Sequence, residues 1–576
     1  MGHYSSGSIK APSARSRLST DVEKSPHDGV THAGEIRGLE TDAHSSLHRG
    51  LKARHISMIA IGGALGTGLI IGTGAALADA GPGSLFISYS FMGAIVFLVM
   101  AALGEMAAWM PLSAGFTGYA TRYCHPSLGF TLGWTYWFKY IIVTPNQLTA
   151  GALVIQKWVD PDRVNPGVFI AIFLVAIFCI NYFGGIKFFG EFEFWLSSAK
   201  VIIVLGIILF CIIIAAGGGP NGEATGFKYW HDPGAFASRK GVSPESLAKF
   251  AAFWSVMVNA TFAYLGTELV GVTAGEAQNP RRTIPKAIKL TFFRILIFYI
   301  CSVFLVGMIV PYNEPKLAFA NTQQTGADAS PFVVAATLAG VKVLPHIINA
   351  CILIFVFSAA NSDLYIASRT LYGLASDEDA PRIFKRTDNR GVPWPALIVC
   401  ALFCCLAFMN VSDDSKKVFK YFVNLTTIFG LLTWISILIT HIHFVKARRA
   451  QNVPDSVMPY RSPLGIWGSY VALFFCCVVA LTKNFTVFLD SGKVDGKFDY
   501  ATFITGYLGI PLYLIFIIGH MLITKSRGIA PHEVDLFTGK DIIDNEEAEF
   551  VEREAEKAAT AKGWDKFYNR YISFLF

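Results

Sequence analysis

Apolar residues in this chain fall in blocks of about 20, separated by short polar stretches, and about 20 apolar residues are what a helix needs to cross a bilayer. Twelve such spans are predicted, near 56–79, 84–104, 126–158, 167–185, 194–216, 250–275, 284–311, 332–372, 395–411, 417–445, 464–489 and 501–524. The third and eighth blocks exceed a membrane thickness, so they must tilt or run on into helical loops. Two blocks are interrupted. Span one, ISMIAIGGALGTGLIIGTGAAL at Ile56–Leu77, holds six glycines between Gly62 and Gly74. Span six, AAFWSVMVNATFAYLGTELVGVTAG at Ala251–Gly275, carries the polar cluster Gly266-Thr267-Glu268 midway. A helix broken in mid-membrane frees N–H and C=O groups that lipid cannot satisfy, so such breaks are tolerated only where they line a cavity or hold a ligand.

Spans one and six lie five spans apart. An odd offset sends the second copy into the membrane from the opposite side, the pattern of an inverted-topology repeat whose discontinuous first helices meet at the midplane. The predicted fold is an all-α integral membrane protein of twelve transmembrane helices. It has a five-helix inverted repeat with broken helices 1 and 6. Repeat one covers about 56–216 and repeat two about 250–445. Two extra helices follow at about 464–524, within a 55–524 helical domain.

Composition agrees. Of 576 residues, 53% are hydrophobic and 15% charged, against about 25% charged in a soluble domain. The net charge of +7 is too modest to point to nucleic acid. Charge position says more. Arg49, Lys52 and Arg54 precede span one; Arg281, Arg282, Lys286 and Lys289 follow span six. Arg382, Lys385, Arg386 and Arg390 follow span eight, and Lys446, Arg448 and Arg449 follow span ten. The positive-inside rule then places both termini in the cytoplasm. Lys228, Arg239, Lys240 and Lys249 fall on a loop assigned outside, but it is long, and long loops follow the rule weakly.

The N-tail, 1–54, is polar, shows no cleavable signal peptide and reads as disordered. In the C-tail, 525–576, Asp541–Lys557 reads as a short acidic helix, and the terminal WDKFYNRYISFLF is expected to dock on the membrane or the inner face. Nine of the ten cysteines lie in predicted spans and Cys124 on an internal loop, so they read as small packing residues rather than a disulfide framework. No Cys/His spacing suggests zinc, no phosphate-binding loop suggests ATP-driven work, and no Ser/His/Asp arrangement suggests a membrane enzyme. No cofactor is expected.

Several polar residues sit at membrane depth. At Gly66-Thr67-Gly68 a half-helix N-terminus would present free N–H donors and a positive dipole end, which capture a carboxylate without a side-chain cation; the glycines also suit close helix packing. Glu268 is an acid in the centre of span six, fit to bind an ammonium, carry a proton, or pair with a base on another helix. In span three, Pro145 loosens the helix, Thr144, Asn146 and Gln147 offer uncharged hydrogen bonds, and Lys139 is an ammonium that faces an acidic ligand, pairs with an acid, or snorkels. Lys200, about two turns into span five, either snorkels or takes the place of a sodium ion between helices one, five and eight. Ser358, Asn361, Ser362 and Asp363 in span eight, and Asn424, Thr426 and Thr427 in span ten, read chiefly as interhelical hydrogen-bonding patches. His441, His443 and His520 read as interfacial.

Six segments, RHISMIAIGGALGTGLIIGTG, GPGSLFISYSFMG, LGEMAAWMP, EFWLSSAKV, LGTELVGVTAGEAQNPRRTIPKAI and FSAANSDLYIASRTLYGLA, resemble the fungal amino-acid permeases of the amino acid–polyamine–organocation superfamily. The resemblance runs in order from about Arg54 to the WDKFY stretch. It implies proton-driven amino-acid uptake at the plasma membrane. By matching position it implies that Gly66–Gly68 takes the substrate α-carboxylate and that Phe262, Gly266, Thr267 and Glu268 take the α-amino group. It also implies that Lys200 occupies a vacated sodium site, with Glu268 and Lys200 serving proton coupling. Many broad or cation-preferring members carry a proline followed closely by a glutamate in span three. Here the run is TPNQLTA with Lys139 upstream, which resembles the dicarboxylic (glutamate/aspartate) subgroup. Ammonium and amides suit an acidic side chain. The neighbouring expectations are a general or neutral permease and, from another class, a nutrient receptor on the same fold. The resemblance also implies ubiquitin ligase machinery as a partner, acting on tail lysines such as Lys10, Lys24 and Lys52.

Overall fold

A computed structural model describes residues 65–112, 114–160, 162–272, 280–317, 330–411, 415–489 and 497–560. Gly62, Gly63, the N-tail with its lysines, and the terminal WDKFYNRYISFLF lie outside the described residues. Among the described residues every regular element is helical.

Among the described residues eight helices are long and apolar enough to cross a membrane, and Trp394–Met409 adds a shorter apolar one. The 38-residue Gly72–Trp109 supplies spans one and two, because it doubles back. Gly81 sits at φ +83°, open in practice only to glycine, and Pro82 lacks the N–H that would continue the helix. The reversal brings Tyr89 Oη to within 3.4 Å of the Gly68 carbonyl, to which it donates; a straight helix would hold residues 21 apart about 30 Å from each other. Likewise Pro166–Ala215 is one helical run of 50 residues, ~75 Å if straight. Its contacts with span eight advance from Phe173–Phe357 through Asn181–Asn361 to Phe189–Tyr365, then return with Glu193 on Ser358. Spans four (Pro166–Gly184) and five (Phe188–Ala215) are therefore separate crossings. Pro126–Ile155 is span three, Thr283–Ile309 span seven and Lys417–Ala450 span ten. Gly465–Phe488 and Tyr500–Thr524 are spans eleven and twelve. The overlong eighth block resolves into a short helix, Pro331–Leu338, and span eight proper, Leu344–Ser376, parted by a turn at Gly340 (φ +76°).

The span-six break and the C-terminal side of the span-one break fall among the described residues. Gly66 is extended (φ −124°, ψ −164°) and precedes helical Thr67–Ile70. In span six, Glu245–Ser255 and Met257–Tyr264 stop at extended Leu265; Gly266 turns at φ +90°, and Leu269–Val272 resumes the helix. The two broken helices cross in direct contact: a Cβ on Gly68 would lie 2.5 Å from Ala263 Cα and 3.1 Å from Phe262 Cδ1.

One end of the bundle is clasped by the C-terminal segment. Arg122, on the loop helix Gly115–Tyr123, pairs with Asp535 at 3.1 Å and donates to the carbonyls of Asp535 and Thr538. Trp109 Nε1 donates to Leu536 O at 2.9 Å and Gln451 Nε2 to Val534 O at 2.6 Å. Helix Lys540–Thr560 stands where the sequence predicts an acidic helix, and its Asp544 and Glu547 pair with Arg281.

Candidate functional site

At the crossing of the broken helices, charge is buried and paired. Lys139 on span three and Glu268 at the span-six break form an ion pair with both side chains at most 1% exposed. Glu268 also accepts from Trp434 Nε1 (3.2 Å) on span ten and from the Gly266 N–H (3.3 Å). The Lys139 ammonium stands over the rings of Tyr136 (5.0 Å) and Tyr140 (4.6 Å), contacts each worth about 0.5–2 kcal/mol. Helical spacing explains this cradle: residues three and four apart share a face, so 136, 139 and 140 point one way.

A second line of contacts leaves the span-one break. Thr67 Oγ1 donates to Gln147 Oε1 (2.8 Å), and Gln147 Nε2 donates to Asp363 Oδ2 (3.1 Å) on span eight. A third joins the broken helices through span two. Tyr264 Oη donates to Tyr89 O (2.8 Å) and Tyr89 Oη to Gly68 O, while buried Arg294 donates to Thr267 Oγ1 (3.0 Å), whose hydroxyl donates to Tyr264 O.

The structure thus brings Gly66, Thr67, Gly68, Lys139, Gln147, Phe262, Gly266, Thr267 and Glu268 into one neighbourhood. Thr144 spends its hydroxyl on Tyr140 O, one turn back in its own helix. Asn146 is fully buried with both amide atoms unpartnered. A buried amide making no hydrogen bond is costly, so this position suits a polar ligand atom. Among the described residues, none apart from its chain neighbours lies within 4 Å of where a Gly66 Cβ would be.

Lys200 does not snorkel. It is fully buried and pairs with Glu193 (3.2 Å) on its own helix, and Glu193 makes the bonds to span eight by accepting from Ser358 (3.1 Å) and Ser362 (2.9 Å). Glu193 opens the EFWLSSAKV segment, and its i, i+7 spacing to Lys200 puts the acid and the base two turns apart on one face, a signal the sequence carries. Trp434, Arg294, Tyr89 and Tyr264 carried no comparable signal. His441 is likewise not interfacial: it is fully buried, with Nδ1 on Ser469 (2.8 Å) and Nε2 on Glu105 (3.2 Å), tying spans ten, eleven and two. Asn424 offers its carbonyl to the buried Lys483 ammonium (2.9 Å). All ten cysteines are free.

A family profile described as amino acid permease matches residues 55–528. This chain belongs to the amino-acid permease family. The permease is 54% identical over 565 residues to the dicarboxylic amino acid permease of Saccharomyces cerevisiae, covering 97% of this chain and 91% of that one. It is 39% identical over 534 residues to the general amino-acid permease of the same organism, covering 92% and 86%. Among solved structures it is similar to an Eremococcus coleocola manganese transporter, with TM-score 0.53 and 11% identity over 82% of this chain and 94% of that one; the likeness is one of fold. The permease is therefore a multi-pass membrane transporter, not an enzyme.

Proposed function

We propose that the permease imports L-glutamate and L-aspartate together with protons across the plasma membrane, by alternating access around the broken helices. The carrying observation is the buried Lys139–Glu268 pair beside the Gly66–Gly68 break. An acidic amino acid brings one ammonium and two carboxylates. Its ammonium replaces Lys139 at Glu268, its side-chain carboxylate replaces Glu268 at Lys139, and its α-carboxylate meets the N–H groups that begin the helix at Thr67. Each buried charge then exchanges one opposite partner for another, so the desolvation cost of the site is already met before substrate arrives. A neutral amino acid leaves Lys139 without a partner. Asn146 and Gln147 supply uncharged contacts. Lys200, held by Glu193, acts as a fixed cation in a place where a sodium ion would serve in other transporters. The similarity to a dicarboxylic amino acid permease supports the same substrates.

In this reading 56–216 and 250–445 are the inverted repeats and 464–524 the added helices. Both termini are cytoplasmic, with tail lysines open to ubiquitin ligase machinery. Radiolabelled uptake in permease-deficient cells, with a panel of amino acids at several external pH values, tests it. Glutamate and aspartate uptake that rises on acidification supports it. Equal uptake of neutral and acidic amino acids points instead to a general permease, and binding without uptake to a receptor.

A further inference from the structure

Among the described residues around the span-three, span-five and span-eight contacts, Asp363 is the acid left over when the buried pairs are matched. Glu268 closes on Lys139 and Glu193 on Lys200. Asp363 sits between these pairs, half-buried on span eight, and its hydrogen bond comes from a neutral amide, Gln147 Nε2. The groups facing it are Lys139, Tyr136 and Tyr140 from span three, Lys200 and Glu193 from span five, and Cys404 from span nine. Both lysines among them are already engaged by other acids. A carboxylate at membrane depth with no cation of its own is costly, and a proton removes that cost. Glu268 has less need of one, since Lys139, Trp434 Nε1 and the Gly266 N–H all donate to it.

The connection from Asp363 leads to the span-one break. An ionised carboxylate only accepts hydrogen bonds, so it holds the Gln147 amide nitrogen toward itself and the amide oxygen toward Thr67. The Thr67 hydroxyl proton is then spent on Gln147 Oε1. A protonated Asp363 has an O–H to donate. If it donates to Oε1 the amide turns over, Nε2 donates to Thr67 Oγ1, and the Thr67 hydroxyl proton is released toward the Gly66–Gly68 break.

We propose that Asp363 carries the coupled proton and that Gln147 transmits its arrival to Thr67, which then donates to the substrate carboxylate. The proton comes from water on the entry side, forms an O–H on an Asp363 carboxylate oxygen, and leaves to water on the exit side; no other bond is made or broken. This inference rests on the proton-coupled reading above.

The test uses the purified full-length permease in liposomes enclosing a pH-sensitive dye, with L-glutamate as substrate. The wild type should accumulate glutamate under a pH gradient and acidify the lumen as it does so. Asp363→Asn should keep glutamate counterflow exchange yet lose both gradient-driven accumulation and glutamate-evoked acidification, and Asp363→Glu should restore them. Should Asp363→Asn not fold, Gln147→Leu must lower the protons moved per glutamate. Wild-type acidification per glutamate in Asp363→Asn, or an unchanged ratio in Gln147→Leu, overturns the inference. A wild type that moves glutamate with no proton overturns the underlying reading instead, and is recognised without any variant.

Discussion

Glu268 and Lys139 meet as an ion pair at the crossing of spans three and six, sealed from solvent and flanked by Trp434, Tyr136 and Tyr140. Breaking one half of such a pair strands the other as an uncompensated buried charge, which costs about 3–5 kcal/mol. Glu268→Gln should therefore lose stability and, with no carboxylate left for the substrate ammonium, lose most uptake even where the protein still reaches the surface. Surface labelling beside uptake measures both, and normal uptake by surface-resident protein would remove Glu268 from the binding site.

Lys139→Ala should weaken glutamate and aspartate uptake far more than uptake of any neutral amino acid. Combined with Glu268→Gln, it removes both charges and should recover much of the ~3–5 kcal/mol of stability lost in either single variant, while transport stays lost. Thermal unfolding in detergent reads the stability half of this double-mutant cycle. An equal loss for acidic and neutral substrates assigns Lys139 a structural role.

The two glycines at the span-one break should behave differently. Gly68→Ala places a methyl group against the Ala263 backbone, which cannot swing aside, so spans one and six must part; overpacking of this kind costs about 1–3 kcal/mol. Gly66 has an extended backbone any residue adopts, and among the described residues none apart from its chain neighbours would meet an added Cβ. Gly66→Ala should fold normally and still depress substrate affinity, because the added methyl would stand where the carboxylate is proposed to sit. Wild-type affinity in a well-folded Gly66→Ala would displace that site.

The tail clasp sets a pH dependence. Burial alone would raise the Asp535 carboxyl, but the Thr538 N–H and the Arg122 guanidinium outweigh it and hold the group below the ordinary carboxylate range. A depressed acid stabilises the docked form above its unfolded pKa and loses that contribution as pH falls through the folded value. The tail should thus stay docked from pH 8 to about 5 and loosen only below about 4. Arg122→Ala should release it at pH 7. Hydrogen exchange over residues 530–545 follows both; pH-independent release would assign the docking to apolar contacts.

Much of this was legible in the sequence, for physical reasons. Blocks of apolar residues must be helices in lipid, and glycine or a polar cluster inside such a block must either break it or be paid for, so both breaks show in the residue string. Lys139 and Glu268 stand out because charge is rare at that depth, yet nothing in one dimension says that residues 129 positions apart are each other's partners. Asp363 and Asn361 fall together in one polar run, but only packing shows that Asp363 faces span three and Asn361 span four. His441 fails for the opposite reason. Near a span end it looked wet, and the neighbouring spans cover it.

The clasp at the end of the bundle ties together parts that alternating access would move. Asp535 grips Arg122, just ahead of span three, whereas Asp544 and Glu547 grip Arg281, just beyond span six. One short strap thus bridges Gly115–Tyr123, ahead of the span that supplies Lys139, and Pro280–Arg294, beyond the span that supplies Glu268. A nanobody that recognises the fastened strap would serve as a reagent for trapping a single step of the cycle, far from the ligand and indifferent to which amino acid is carried.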